Sequence, residues 1–275
     1  APSAVADPLF REVPKAVTHA EIDEIIAGYV TVAEHCAEGG FDGIELFTAS
    51  GNAIGTDVLK KLLGKYTLQL AAVGTGAGKV IHGLTLTDTN NAIREKAIAF
   101  IKEMMEFGAL FGAPAIIGSM QGNAVLGETQ DNSIGLLAEA LQVLDQHATS
   151  LGVKLIYEPL NRYETNLMNR LDDAAAFIEQ NKFKNIVLLA DLFHMNIEEA
   201  DPAESIQKNR QHIGHVHFAD SNRKPVGYGH TQMESIANAL TESGYDGYVS
   251  AEAFPWPDPD LAAAQTIRSF NQFFK

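Results

Sequence analysis

The sequence KLIYEPL at residues 154–160 is a short apolar run, and two more such runs follow it, IVLLADL at 186–192 and IGHVHF at 213–218. Each run is bounded by Gly, Asp, Asn or Pro, which is typical of buried strands. Longer amphipathic segments separate the runs, and Asp172-Asp173 before Ala174–Ile178 indicates the start of one such helix. Strands and helices that alternate in this way require a parallel sheet.

The same pattern extends outward over the rest of the chain. Seven strands are predicted, at Phe41–Phe47, Leu68–Val73, Pro114–Gly118, Lys154–Leu160, Ile186–Leu192, Ile213–Phe218 and Gly247–Phe254. An eighth would have to come from the N-terminus, where Ser3–Phe10 is a poor candidate because it contains Asp-Pro. A doubly wound sheet is disfavoured, since GTGAG at 74–78 lacks the G-x-G-x-x-G spacing. We therefore predict an α/β fold, a (βα)8 TIM barrel that forms one domain over residues 1–275.

The composition limits the partners of this chain. It has 275 residues, with 20 Lys and Arg against 35 Asp and Glu, and a formal net charge of −15. Such an acidic surface argues against nucleic acid or an anionic membrane as a partner, because phosphate binding depends on Lys and Arg. The single cysteine, Cys36, excludes an internal disulfide and favours a cytoplasmic location. We expect no membrane span and see no signal peptide.

Polar residues follow four successive predicted strands at their C-terminal ends, where parallel barrels carry their active groups. Glu158, Asp191, His217 and Glu252 are spaced 33, 26 and 35 residues apart, about one βα unit each. Two Glu, one Asp and one His suit Mn²⁺, Co²⁺ or Mg²⁺. Each residue has an ordinary alternative: helix caps for Glu158 and Asp191, an ion pair for Glu252, a core position for His217. We interpret His215 as structural and facing the opposite side of its strand from His217.

Four segments resemble the xylose-isomerase-like barrel family of sugar isomerases and epimerases, and within it the D-tagatose/D-psicose 3-epimerases. They are IYEPLNRYETN at 156–166, DLFH at 191–194, HFADSNR at 217–223 and SAE at 250–252. The resemblance implies that a divalent metal, usually Mn²⁺, binds to Glu158, Asp191, His217 and Glu252. It also implies that Glu158 and Glu252 are the catalytic acid/base pair.

The same resemblance implies that Glu164, His194 and Arg223 bind the sugar near its O1, O2 and O3. One residue departs from the family pattern, because Asp220 stands where the 3-epimerases usually carry Glu. This departure leaves the subgroup open and does not affect the predicted metal ligands.

Residues 1–46 carry a different resemblance. The stretch from Val17 to Glu45 is similar to a segment of the old yellow enzymes, which are FMN-dependent (βα)8 oxidoreductases. In those enzymes the strand runs into a His-rich substrate loop, whereas here it runs into FTASGN at 47–52. The working residues of the flavin enzymes are therefore missing. We interpret the segment as a helix and strand that serve the barrel.

These observations predict a metal-dependent isomerase that acts on a small sugar. The most specific form of this prediction is epimerisation of a ketose at C3. Two carboxylates would remove and return a proton, and the metal would stabilise the enediolate between the two steps. The alternative is an inosose or hydroxypyruvate isomerase, or a dehydratase, on the same scaffold. An endonuclease IV-like enzyme is disfavoured by the charge, and a binding protein on an inactive barrel by the presence of Glu158 and Glu252. Homo-oligomerisation stays open.

Overall fold

The structure is a computed structural model that describes Cys36 and residues 39–124 and 130–275. In this part of the chain, seven parallel strands pair with one another in chain order. They are β1 (Gly43–Phe47), β2 (Gln69–Gly74), β3 (Ala115–Ile117), β4 (Leu155–Tyr157), β5 (Ile186–Asp191), β6 (Ile213–His217) and β7 (Val249–Ser250). All seven predicted strands are found, and their parallel pairing in chain order confirms the predicted barrel class. The strand candidate Ser3–Phe10 and most of the segment that resembles old yellow enzymes lie outside the described residues.

Helices connect successive strands and pack against one face of the sheet. Their bounds are Thr56–Tyr66, Ala77–Val80, Asn91–Ala109, Gln130–Leu151, Leu171–Asn181, Leu192–Glu198, Pro202–Asn209, Met233–Glu242 and Pro259–Phe274, with a 3₁₀ turn at Ser119–Gln121. The helix predicted from Asp172-Asp173 thus begins one residue earlier, at Leu171, and both aspartates lie in its first turn. In residues 39–124 and 130–275, every helix is too short or too polar to cross a bilayer.

Two separate apolar layers show how side chains alternate across the sheet. The large core lies between strands and helices and contains the outward residues of the strands, such as Ile117, Tyr157 and Leu188. A small second cluster, Ala72, Ile116, Ile156 and Leu189, comes from four different strands and packs on the other face. Successive strand residues point to opposite faces. Residues two positions beyond this small cluster, toward the C-terminal ends of the strands, therefore point into the barrel mouth.

Strand β1 follows the same alternation. Ile44 and Leu46 pack with the large core, so Glu45 between them faces the barrel interior. A register shift between Ile44 and Glu45 pairs Glu45 with Ala72 of β2. A carboxylate therefore occupies an interior position level with the small apolar cluster.

Candidate functional site

Four side chains meet at the C-terminal mouth of the sheet, and we call them the mouth cluster: Glu158, Asp191, His217 and Glu252. One ligand atom from each lies within 4.8 Å of all the others. Glu158 follows β4, Asp191 and His217 end β5 and β6, and Glu252 lies two residues beyond β7. The structure thus brings together all four residues that were predicted from their positions after strands.

Asp191 has two functions at once, because its two oxygens face different partners. Oδ1 accepts hydrogen bonds from the backbone N–H groups of Phe193 and His194, at 2.9 and 3.0 Å, and so caps the helix Leu192–Glu198. Oδ2 lies 3.1 Å from Nδ1 of His217 and 2.7 Å from Nη1 of Arg223. Burial alone would raise the pKa of Asp191, but the His217 hydrogen bond and the Arg223 charge hold it well below its ordinary value. The cap and the site residue are therefore not alternatives here.

Glu158 is buried, and its Oε1 has no hydrogen-bond partner in the described part of the chain. Nε2 of His194 and Nδ1 of His217 are both 3.7 Å from Oε1, too far for a hydrogen bond. An unpaired buried carboxylate oxygen is costly, and a bound cation would remove that cost. The unpaired oxygen belongs to one of three carboxylates that surround one imidazole, and such a set of donors fits a hard divalent ion.

The ends of β3 and β4 are built to place Glu158. Gln121 is fully buried, and its Nε2 donates to the carbonyl oxygens of Gly118 and Glu158, both at 3.0 Å. Its Oε1 accepts from the Tyr157 hydroxyl at 2.5 Å. A Cβ on Gly118 would collide with Oε2 of Glu158, so position 118 requires glycine for the carboxylate to occupy this place. The sequence did not predict that Gly118 and Gln121 position Glu158.

Arg223 bridges two members of the mouth cluster. Its Nη1 donates to Oδ2 of Asp191, and its Nη2 makes a short contact with Oε2 of Glu252. The Glu252 side chain is 53% exposed, whereas those of Glu158 and Asp191 are buried. Arg223 therefore lies at the cluster, on the solvent side, where it can also reach a bound molecule.

The two predicted acid/base carboxylates differ in proton affinity. Burial raises the pKa of Glu158 well above its ordinary value, and the negative charges of Asp191 and Glu252 add to the increase although His217 opposes it. Burial also acts to raise the pKa of Glu252, but the hydrogen bond and charge of His217 outweigh it and lower that pKa. Two carboxyl groups with separated pKa values are suited to acid and base functions.

His194 lies beside the mouth cluster in a defined tautomer. Its Nδ1 is 2.7 Å from Nδ2 of Asn161, which can only donate, so Nδ1 accepts and Nε2 carries the proton of the neutral ring. Burial lowers the pKa of His194, which favours that neutral ring. Glu164 is on the exposed loop after β4, where its Oε1 accepts from Nδ2 of Asn161 at 3.0 Å. Oε1 of Glu164 is 3.8 Å from Nδ1 of His194, so these two predicted sugar contacts are neighbours.

Asp220 organises the loop that carries Arg223. Its buried carboxylate accepts hydrogen bonds from the backbone N–H groups of Ser221, Gly227, Gly229 and Thr231, at 2.8 to 3.1 Å. Burial alone would raise its pKa, but these four donors lower it. The residue that departs from the family pattern is therefore a loop anchor.

The prediction that His215 faces away from His217 is wrong. Residues two apart on a strand share a face, and both rings point into the barrel toward Glu45. Nε2 of His215 is 2.6 Å from Oε1 of Glu45, and Nε2 of His217 is 3.2 Å from Oε2. We call Glu45, His215 and the Nε2 side of His217 the interior cluster. Burial alone would raise the pKa of Glu45, but the two imidazoles hold it well below its ordinary value.

A cavity of about 780 Å³ opens at the mouth. Every predicted site residue except Asp191 lines it: Glu158, Glu164, His194, His217, Arg223 and Glu252. Its volume is within the range of small-molecule sites. A parallel barrel with carboxylates, an imidazole and a guanidinium around such a cavity defines the class of (βα)-barrel proteins whose site lies at the strand C-termini.

Comparison with known families makes this class specific. The sequence model of the family described as "Xylose isomerase-like TIM barrel" matches residues 33–272. The chain therefore belongs to the xylose isomerase-like TIM barrel family, as its four sequence segments predicted. The match begins inside the segment that resembles old yellow enzymes.

Individual relatives of this chain are sugar epimerases. L-ribulose 3-epimerase of Methylomonas sp. (strain DH-1) is 30% identical over 237 residues, which cover 84% of this chain and 80% of that protein. 3-Dehydro-D-guloside 4-epimerase of Escherichia coli (strain K12) is 37% identical over 122 residues, 44% of this chain and 47% of that protein. This chain thus matches about half the length of the E. coli relative. The crystal structure of D-allulose 3-epimerase from Methylomonas sp. in complex with D-allulose has a TM-score of 0.78 at 26% identity, covering 90% of this chain and 92% of that one.

Proposed function

We propose that this protein is a metal-dependent sugar epimerase that inverts the carbon next to the ketone of a free ketose, at C3. The observation that carries the proposal is the unpaired Oε1 of Glu158 within a cluster of three carboxylates and one imidazole. The 3-epimerases among its relatives support the same activity.

Glu158, Asp191, His217 through Nδ1, and Glu252 would hold the divalent ion. When bound, such an ion supplies a positive charge that stabilises the oxygens of an enediolate, an effect worth several kcal/mol. Oxygen-rich ligands with one imidazole favour Mn²⁺, with Co²⁺ and Mg²⁺ as the other candidates. The manganese preference, the cytoplasmic location and any homo-oligomer stay predictions.

Glu158 and Glu252 are proposed to move the proton. They come from β4 and from the loop after β7, which are three positions apart in the sheet, so they approach the mouth from different directions. One carboxylate takes the proton from C3, and the electron pair of the broken C–H bond forms the enediolate. The other carboxylic acid returns a proton to the opposite face of C3. Inversion follows because the enediolate is planar, and the enzyme regains its protonation state when the two carboxyl groups exchange their proton with solvent.

The remaining site residues are proposed to orient the sugar. Arg223 can donate from its guanidinium to an oxygen that gains negative charge, and Nε2–H of His194 points toward the same opening. Glu164 can accept from a sugar hydroxyl with the oxygen that is not bonded to Asn161. Each of these residues binds or orients the sugar, and none of them has to transfer the proton.

A second candidate is C4 epimerisation of a 3-keto sugar. One relative is 3-dehydro-D-guloside 4-epimerase, and the crystal structure of 3-keto-D-glucoside 4-epimerase from E. coli matches with a TM-score of 0.77 at 25% identity, covering 88% of this chain and 94% of that one. The chemistry is the same, because C4 is next to the ketone in such a sugar. An inosose or hydroxypyruvate substrate would also place an acidic C–H beside a carbonyl.

The test is turnover in D₂O with Mn²⁺-loaded protein and a panel of free ketoses, ketose phosphates and 3-keto glycosides. We expect a free ketose to gain deuterium at C3 as its C3 epimer forms, and chelated protein to be inactive until Mn²⁺ or Co²⁺ is returned. Deuterium at C4 of a 3-keto sugar would select the second candidate. Full activity in protein shown to be metal-free, or an epimer without solvent deuterium, would contradict the proposal.

A further inference from the structure

Glu45 lies one layer below the mouth cluster and lines the lower part of the same cavity. Its strand neighbours Ile44 and Leu46 pack in the large core, and its own side chain points to the barrel interior. There it lies between two buried imidazoles that are 1% and 3% exposed, His215 and His217. The Glu45 side chain is 23% exposed, and removing a charge even partly from water is costly unless the charge is paired.

The two imidazoles supply that pairing from one strand. Oε1 of Glu45 is 2.6 Å from Nε2 of His215, and Oε2 is 3.2 Å from Nε2 of His217. An ionised carboxylate only accepts hydrogen bonds, so both Nε2 atoms carry a proton. A metal ion binds only the neutral ring, and when His217 gives up its second proton to become neutral, Nδ1 is the atom with the free electron pair. That atom faces the mouth cluster, at 3.0 Å from Oε2 of Glu252 and 3.1 Å from Oδ2 of Asp191.

We propose that Glu45, held in place by His215, is a positioning residue that fixes the tautomer and orientation of His217 so that Nδ1 can bind the divalent ion. This inference rests on the proposed function only in that a metal binds the mouth cluster. Carboxylates that accept from the second nitrogen of a metal-bound histidine are common in metal sites and raise its basicity. Here the carboxylate is fixed as well, because its other oxygen is bound to a second imidazole.

The three groups of the interior cluster are also close enough to be a metal site themselves. Hydrogen bonding accounts for them better, because both Glu45 oxygens and both facing Nε2 atoms are paired directly with each other. The mouth cluster differs, since it contains the unpaired Oε1 of Glu158. We therefore assign one ion to the mouth cluster and none to the interior cluster.

The test is the dissociation constant of Mn²⁺, measured on the full chain by the EPR signal of the free ion, together with the absorption spectrum of the Co²⁺ form. Glu45→Ala removes the acceptor, and the dissociation constant should rise roughly 10- to 100-fold, the usual cost of losing such a partner. In Glu45→Gln the dissociation constant should rise less, because the amide oxygen can still accept a hydrogen bond from Nε2–H. The Co²⁺ bands should shift in Glu45→Ala, since the imidazole is reoriented.

Two controls separate positioning from a general structural effect. Glu179→Gln removes a carboxylate from a surface histidine, His212, at 3.0 Å, and should leave metal affinity unchanged. The unfolding midpoint of the chelated variants records any loss of stability independently. If Glu45→Ala does not fold, Glu45→Asp serves in its place, because its shorter side chain cannot reach both imidazoles, and its dissociation constant should also rise.

Unchanged Mn²⁺ affinity and Co²⁺ spectrum in the folded Glu45→Ala or Glu45→Asp protein would overturn the inference, whatever the stability. Two ions per wild-type chain, falling to one in Glu45→Ala with unchanged affinity for the remaining ion, would also overturn it and would assign a second metal. Wild-type protein that binds no divalent ion would instead overturn the proposed function. The two failures are therefore distinguishable without any sugar in the experiment.

Discussion

The mouth cluster and the interior cluster meet at one ring, since His217 presents Nδ1 to the first and Nε2 to the second. The mouth cluster has three carboxylates against this imidazole and Arg223, and one buried oxygen of Glu158 stays unpaired. The interior cluster has one carboxylate between two imidazoles, and both of its oxygens are paired. The same residue types thus occur in both clusters, but the mouth cluster keeps an unpaired carboxylate oxygen and the interior cluster does not.

This difference shows how to distinguish a cation site from a supporting hydrogen-bond network. Ligand type and spacing alone do not decide, because both groups could hold a metal by those criteria. What decides is whether negative charge and acceptor atoms remain after the protein has paired what it can. By that measure only the mouth cluster needs an ion, within the part of the chain that the structure describes.

The largest effect should come from removing a carboxylate of the mouth cluster. Glu158→Gln and Glu252→Gln should each lower kcat by roughly 10²- to 10⁴-fold, because an amide can neither take nor return the proton. The measurement is steady-state turnover with saturating Mn²⁺, with Glu179→Gln as the matched control. Turnover close to wild type in either variant would remove that carboxylate from the proton-transfer scheme.

A smaller effect should come from the guanidinium that faces the mouth cluster. Arg223→Lys keeps the charge but loses the planar pair of donors that contacts Asp191 and Glu252. We expect kcat to fall roughly 10²-fold, the scale of one oxyanion donor, with Mn²⁺ still bound. Metal content and kcat should be measured on the same preparation. An unchanged rate would show that Arg223 only balances charge in the metal-free cluster.

A smaller effect is expected from a steric change beside Glu158 that leaves all four proposed ligands in the sequence. Gly118→Ala places a Cβ against Oε2 of Glu158 and should displace this carboxylate, at a cost of about 1–3 kcal/mol, the range for overpacking. We expect weaker Mn²⁺ binding. The dissociation constant should rise roughly tenfold for each 1.4 kcal/mol by which the metal-bound state is destabilised. Gly64→Ala is the control, because a Cβ there meets nothing within 4 Å. Equal Mn²⁺ affinity in the two variants would show that the Glu158 position is not critical.

The smallest effect on Mn²⁺ affinity is expected from substituting Asp220, a carboxylate whose hydrogen-bond donors are all backbone N–H groups. Because its pKa is lowered in the folded protein, it stabilises the fold above its ordinary pKa, and this contribution is lost as the pH falls through the lowered value. Asp220→Asn should cost about 1–3 kcal/mol of unfolding free energy at pH 7 and less in acid. Chemical unfolding of chelated protein at both pH values measures this.

The Asp220 variant also sharpens the comparison between the two clusters. Its Mn²⁺ affinity should stay near wild type, in contrast to Glu45→Ala, although both carboxylates are paired. A large loss of metal affinity in Asp220→Asn would mean that fold integrity, not positioning of His217, controls the site. Asp258→Asn, an exposed helix cap where Asn serves nearly as well, is the stability control.

Much of the fold and the mouth cluster could be predicted from the sequence, because parallel barrels place strand-end residues at one mouth. The strand bounds were less accurate: Gly247–Phe254 was predicted, but only Val249–Ser250 is paired. The chain leaves the sheet early there, and the exposed Glu252 reaches the mouth from a loop. Sequence patterns of apolar runs do not record where pairing ends.

Glu45 was missed for a physical reason. In GIELF the apolar Ile44 and Leu46 alternate with Glu45, a pattern that usually indicates a solvent-facing charge. In a barrel the opposite face is the interior, so this alternation was a signal for a carboxylate that points into the barrel. Gly118 and Gln121 had no comparable signal, since their importance arises from contacts with Glu158 and Tyr157 across strands.

The most direct test of this account is the anomalous scattering of Mn²⁺ in crystals of the metal-loaded protein. We expect one peak, bound by Glu158, Asp191, Nδ1 of His217 and Glu252, with Nε2 of His217 still hydrogen-bonded to Glu45. A peak between Glu45, His215 and Nε2 of His217, or no peak at the mouth cluster, would contradict it.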